Sequence, residues 1–72
     1  MTAGKLIARH RRADHLSQSK VATALGVTPR TYRKIEAGQR PVTIEEAHLL
    51  AGLLTELTAE DILEAARPGA AA

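Results

Sequence analysis

The chain contains no cysteine, no tryptophan and no phenylalanine, and its one tyrosine is Tyr32. Without cysteine, a disulfide framework and a thiolate zinc site are both excluded. Long hydrophobic runs are missing too. None approaches the roughly 18 apolar residues of a membrane span, and Met1 to Lys5 is no charged segment leading into an apolar stretch. A soluble, cytoplasmic chain is therefore expected. Strand patterning is equally scarce, because the β-branched residues stand singly and do not alternate with polar ones. Length sets the last exclusion: 72 residues make one small domain and leave little room for a large enzyme pocket. A core of that size is only marginally stabilising unless its helices pack efficiently or a second chain adds to it.

What the chain does have is a charge gradient. Up to Val42, nine cations (Lys5, Arg9, Arg11, Arg12, Lys20, Arg30, Arg33, Lys34, Arg40) face only Asp14 and Glu36, a net of +7. From Thr43 onward, six acids (Glu45, Glu46, Glu56, Glu60, Asp61, Glu64) face only Arg67, a net of −5. One end of the molecule suits a polyanion and the other repels it. Two ordinary solvated surfaces would give the same count.

Five helix starts are legible. Thr2 caps a segment running to about Asp14 in which Leu6, Ile7, His10 and Ala13 recur at helical spacing. Ser17 caps a second, with Val21, Ala22 and Leu25 as its apolar stripe and Gly26 as its stop. Thr28-Pro29 opens a third, which runs to Ala37 with Tyr32 and Ile35 inward and Gly38 at its end. Thr43 and Glu46 have capping-box spacing and open a fourth, with Ile44, Ala47, Leu50, Ala51 and Leu54 expected on one side and Gly52 weakening it locally. Thr58 and Asp61 open a fifth, over Ile62, Leu63 and Ala66. The expected fold is all-α, a compact domain of five short helices over residues 1–66, followed by a disordered tail, 67–72.

Helices two and three, joined by a short turn at Gly26, form a helix-turn-helix. Ala22 has to be small for the two to cross closely, Gly26 lets the chain reverse, and Val21, Leu25, Val27, Tyr32 and Ile35 fill the angle between them. At this point the sequence resembles the Cro and phage-repressor (XRE-type) helix-turn-helix family. The resemblance rests on Arg11, Leu16-Ser17-Gln18, Val21-Ala22, Leu25-Gly26-Val27-Thr28, Ile35-Glu36-Ala37-Gly38 and Pro41, and covers about residues 5 to 63. It implies a lambda-repressor-like five-helix domain that regulates transcription as a repressor, commonly as a homodimer on a palindromic double-stranded DNA operator. It also implies a bacterial or phage-infected cell, with the protein associated with the nucleoid.

On that reading helix three is the recognition helix, with its N-terminal turn in the major groove. Its outward residues are Pro29, Arg30, Thr31, Arg33 and Lys34. Arg30 is the first choice for base readout, since a guanidinium fork matches the O6 and N7 acceptors of guanine. Arg33 or Lys34 is placed for another base edge or a phosphate, and Thr31 for a thymine methyl; a solvated basic face is the alternative. Ser17, Gln18 and Thr28 lie at helix starts, where backbone N–H groups favour anions. Capping is the first task of Ser17 and Thr28, while the resemblance gives Gln18 a DNA-backbone contact and a bracing role. Lys20, Gln39 and Arg40 are further candidate phosphate clamps. The resemblance also implies that Arg11 and Glu36 form a structural salt bridge between helix one and the end of helix three.

The chain departs from the family pattern at His10, usually apolar, at His15, often glycine, at Tyr32, usually aliphatic, and in a 54–58 link about one residue longer than usual. His10, His15 and His48 lack metal-ligand spacing, so no metal and no cofactor are expected. Ser17, Ser19, the histidines and the carboxylates show no nucleophile-base-orienter pattern, so no enzyme and no small-molecule ligand are expected either. The rival to DNA binding is the same fold used as a protein-interaction module, such as an antitoxin or anti-repressor, with the acidic Thr43 to Ala66 region as its contact surface. Leu53, Leu54, Leu57 and helix five supply candidate residues for a dimer interface or for the monomer core.

Overall fold

Hydroxyl side chains set the start of each helix. In the computed structural model, which describes residues 2–66, α1 spans Ala3–Ala13, α2 Gln18–Leu25, α3 Pro29–Glu36, α4 Ile44–Leu53 and α5 Ala59–Ala66. The side-chain oxygens of Thr2, Ser17, Thr28, Thr43 and Thr58 each accept the backbone N–H three residues on, at 3.0–3.2 Å. Each bond satisfies a donor that the first helical turn leaves unpaired. At α4 the bond is reciprocated, because Glu46 Oε1 accepts the Thr43 N–H at 3.0 Å and completes a capping box. The fold is all-α, with no strand among the described residues. The segment 67–72, expected as a tail, lies outside them.

α1, α2 and α3 end in the same way. His15, Gly26 and Gly38 take left-handed φ values of 57°, 75° and 79°. The residue after each, Leu16, Val27 and Gln39, donates its N–H to the carbonyl five residues back, at Arg11, Ala22 and Lys34. Gly26 and Gly38 adopt this backbone without steric cost, whereas His15 does so with a Cβ, at about 1–2 kcal/mol. Glu56, in the α4–α5 link, is a second non-glycine residue at φ 61°.

Ile7, Val21, Ala22, Tyr32, Ile35, Ala47, Leu50 and Ile62 form the buried centre. α2 packs on α3 and α4, α5 lies against α1 and α4, and α1 reaches α3. One apolar expectation is corrected, and one open alternative is decided for the monomer core. Ile44, read as inward on α4, is 64% exposed. It stands about 120° around the helix from fully buried Leu50, and the inward arc is filled instead by Glu46, Ala47, Leu50 and the following Leu54. Leu54 and Leu57, candidates for a dimer interface, are buried in the monomer core, with Leu53 packed half-buried beside them. The lengthened link is pinned to α1: Asp14 Oδ2 accepts the Thr55 N–H at 2.7 Å, and His10 Nδ1 lies 3.2 Å from the Thr55 carbonyl oxygen.

The contact of α1 with α3 is made backbone to backbone. A Cβ on Gly4 would stand 2.5 Å from the carbonyl oxygens of both Ile35 and Glu36, the last turn of α3. These are main-chain atoms that cannot rotate away. Gly4→Ala is expected to lower unfolding free energy by about 1–3 kcal/mol, the range for overpacking, with urea denaturation as the measurement. Gly52→Ala, at a position where a Cβ meets nothing within 4 Å, is the control and should not destabilise.

Candidate nucleic-acid interface

The face of α3 turned to solvent follows from what its other face buries. Tyr32 and Ile35 are almost wholly enclosed, so Pro29, Arg30, Arg33 and Lys34 emerge on the exposed side. Proline at the first helical position suits the start of α3, since its missing N–H would have had no intrahelical partner. Thr31 is half-buried, and its hydroxyl accepts from the Thr28 hydroxyl at 3.0 Å. Among the described residues, no side-chain hydrogen bond or ion pair holds Arg30, Arg33 or Lys34. Lys20 and Gln39 are likewise exposed.

Other cations are engaged. Arg11 Nε lies 2.6 Å from Glu36 Oε2 and Nη2 lies 3.3 Å from Oε1, while Nη1 donates to the Leu16 carbonyl at 2.9 Å. The Gln18 amide donates to Glu36 Oε1 at 3.0 Å, and the Tyr32 hydroxyl donates to Oε2. One carboxylate at the end of α3 thus gathers donors from α1, α2 and α3 itself. Burial pushes the Glu36 carboxyl up, but the hydrogen bonds from Arg11, Tyr32 and Gln18 outweigh it and hold it below its usual value. Burial, reinforced by Glu36, pushes the Tyr32 hydroxyl up.

Arg40 was read from sequence as a phosphate clamp, and its fork lies on Glu46. Nη1 is 2.9 Å from Oε1 and Nη2 is 3.1 Å from Oε2, with a further bond to the Pro41 carbonyl at 3.1 Å. The Arg40 hydrogen bond is the main reason the Glu46 carboxyl is held low. Among the described residues, nothing takes the Nε–H or the second Nη2–H of Arg40. Sequence reasoning missed this pair, although Glu46 had already been placed in the capping box. It also missed the Tyr32 bond, whose i, i+4 spacing to Glu36 was readable. The three histidines stand apart: His10 on the Thr55 carbonyl, His15 at the end of α1, His48 on the outer side of α4.

A capped basic helix, held at a fixed angle against a second helix of the same length, eight residues, is the arrangement of a helix-turn-helix. Comparison with known families decides it: a family model described as helix-turn-helix matches residues 7–62. The chain belongs to the Cro/C1-type, or XRE, helix-turn-helix family. Members of this family are DNA-binding regulators, and that description extends to this chain. Neither the curated proteins nor the solved structures gave a match. None of the described helices is long and apolar enough to cross a membrane.

Glu36→Ala leaves Arg11 paired only to a carbonyl and strands two other donors. It is expected to cost about 3 kcal/mol or more, read as a drop in melting temperature together with weaker DNA binding. Because the folded-state value of Glu36 lies below its ordinary 4.5, its ionised form contributes stability that is complete above about pH 4.5. That contribution is lost as pH falls through the lower, folded value. Acid titration of stability should therefore show a loss below pH 4.5 that is shallower in Glu36→Gln.

Proposed function

We propose that the protein is a sequence-specific double-stranded DNA-binding repressor of the Cro or phage type, reading its operator with α3 in the major groove. The observation that carries this reading is the contrast among its cations. Arg11 and Arg40 are spent on Glu36 and Glu46, while Arg30, Arg33 and Lys34 stand exposed and unpaired on one capped helix. Arg30, in the first turn, presents a free guanidinium fork for guanine O6 and N7. Pro29 and Thr31 border it, with the Thr31 methyl available to a thymine methyl, and Arg33 and Lys34 reach a second base edge or the backbone. Ser17, Gln18, Lys20, Thr28, Gln39 and Arg40 serve the phosphates. Gln18 keeps one amide N–H for a phosphate oxygen while the other holds Glu36, and Arg40 contributes only through the N–H groups that Glu46 leaves free. A single short helix reads few base pairs, so two copies on a palindromic operator, with half-sites about 34 Å apart, complete the specificity.

Selection of bound sequences from random duplex DNA, repeated with Arg30→Ala, tests the assignment. The substitution should relax base preference at one position per half-site and cost about 1–3 kcal/mol in affinity. Uniform weakening with preference intact would demote Arg30 to a phosphate contact. For the wild-type chain, log affinity should fall steeply with log salt, as expected if about four to eight phosphates are neutralised. No binding to any duplex at low salt would defeat the reading and favour a protein-interaction module.

A further inference from the structure

Three cations of α1 have no task within the monomer. Lys5, Arg9 and Arg12 are exposed, and among the described residues no side-chain hydrogen bond or ion pair holds any of them. At about 100° and 1.5 Å per residue they share an arc of about 60° and span about 10 Å of the helix axis. The centre of that arc lies about 170° from fully buried Ile7 and more than about 100° from Gly4 and Arg11, through which α1 meets α3. The stripe therefore points away from the core and from α3. Helix stability does not call for it. Lys5 stands in a first turn that holds no acid, against the helix dipole. The i, i+4 and i, i+3 spacings also set like charges side by side with no carboxylate between them, which destabilises a helix. Asp14, at the end of α1, turns to the Thr55 N–H on the other side. Arg9 borders a shallow cleft with Asp14 and Glu56 and pairs with neither.

We propose that this face of α1 binds the phosphate backbone of a second stretch of double-stranded DNA, distinct from the one α3 reads, so that one molecule bridges two duplex segments. What the face lacks identifies the occupant. Its other exposed residues are Thr2 and Ala13. It carries no large apolar side chain to enter a membrane or to anchor a protein interface, and no aromatic ring on which the bases of a single strand could stack. Cations alone, at axial steps of about 6 and 4.5 Å, recognise a partner by its charge and not by its sequence, which is how a duplex backbone is bound. A duplex on the exposed side of α3 meets a different face, so the stripe is left for another. Three phosphate contacts attach weakly. They take effect because α3 already holds the chain on DNA, where further segments are at high effective concentration. The inference rests on the DNA-binding part of the proposed function and needs no particular operator.

Capture of a second duplex tests it. An operator found by selection is immobilised and loaded with the full chain, unbound protein is washed away, and a labelled duplex of unrelated sequence is added. Retention of the label should fall about 40-fold between 50 and 200 mM salt, the slope for about three neutralised phosphates. Lys5→Gln, Arg9→Gln and Arg12→Gln combined, all at exposed positions and checked by circular dichroism, should lower retention by about tenfold or more and leave operator affinity within about threefold. A chain carrying Arg30→Ala, Arg33→Gln and Lys34→Gln should lose the operator yet keep a weak, salt-sensitive attachment to duplex DNA, which the three α1 substitutions then abolish. No retention of the second duplex, equal retention by the wild-type and α1-substituted chains, or an operator affinity that falls as far as retention does would overturn the proposal. So would stronger retention of double-stranded RNA than of DNA of equal length. A wild-type chain that prefers no sequence but keeps the weak attachment through α1 would instead sink the reading of α3 alone.

Discussion

The angle at which α3 leaves the body of the protein depends on the carboxylate of Glu36. It stands at the end of that helix, and its two oxygens take Arg11 from α1, Gln18 from α2 and Tyr32 from one turn back in α3. A buried carboxylate is tolerable only when its lone pairs are filled and its charge is opposed. Both conditions are met here by groups from three different helices, so any rotation of α3 would strand at least one of them. Gly4 imposes the matching constraint from the other direction. α1 crosses the last turn of α3 so closely that main chain touches main chain, which leaves α3 no room to tilt inward. A polar tether and a steric stop together define one orientation for α3, which is the fixed presentation that the proposed base readout requires.

The same economy governs the charges. In the acidic half of the sequence, Glu45, Glu46, Glu60 and Asp61 fall in the first turns of α4 and α5. There they oppose the positive ends of the helix dipoles or cap the starts directly. Glu46 does a second job by holding Arg40, and so shapes the loop that follows α3. Much of the acidity thus has a local explanation in helix starts. The basicity has one only in part: two arginines are matched to carboxylates, and the cations of α3 are not. Net charge by halves would have treated all nine cations of the first segment alike. The structure separates the two that are paired to carboxylates from those that stand exposed.

How much of this was legible depended on whether a feature is local in sequence. All five N-caps could be read residue by residue, because a hydroxyl bonding the N–H three positions on is decided within one turn. The stops at Gly26 and Gly38 were readable for the same reason. His15 and Glu56 were not readable as left-handed residues from propensity alone, since both pay a steric cost that only the surrounding chain can impose. Ile44 was misplaced because apolar spacing was counted from the cap, when the buried arc is set by α2 and α5. Leu54 and Leu57 looked eligible for either a core or an interface, and only tertiary packing could choose. Gly4 gave no signal, because a glycine inside a helix usually marks weakness and here marks a crossing. Arg40 looked free until the side chain six residues later was seen to turn back on it.

Tyr32 shows how a departure from the family pattern can be absorbed. An aliphatic residue at that position fills the angle between α2 and α3 and asks nothing further. A tyrosine brings a hydroxyl that cannot be left dry, and in a fully enclosed position the only remedy is an acceptor within reach. Glu36, four residues on in the same helix, is that acceptor, and it was already committed to Arg11. The added donor strengthens the carboxylate's case for staying ionised, which in turn keeps Arg11 and Gln18 engaged. A change that in isolation would burden the core therefore tightens the cluster that holds α3. Gln18 is tied at one amide hydrogen to this carboxylate, so the start of α2 is held to the same end of α3 as α1.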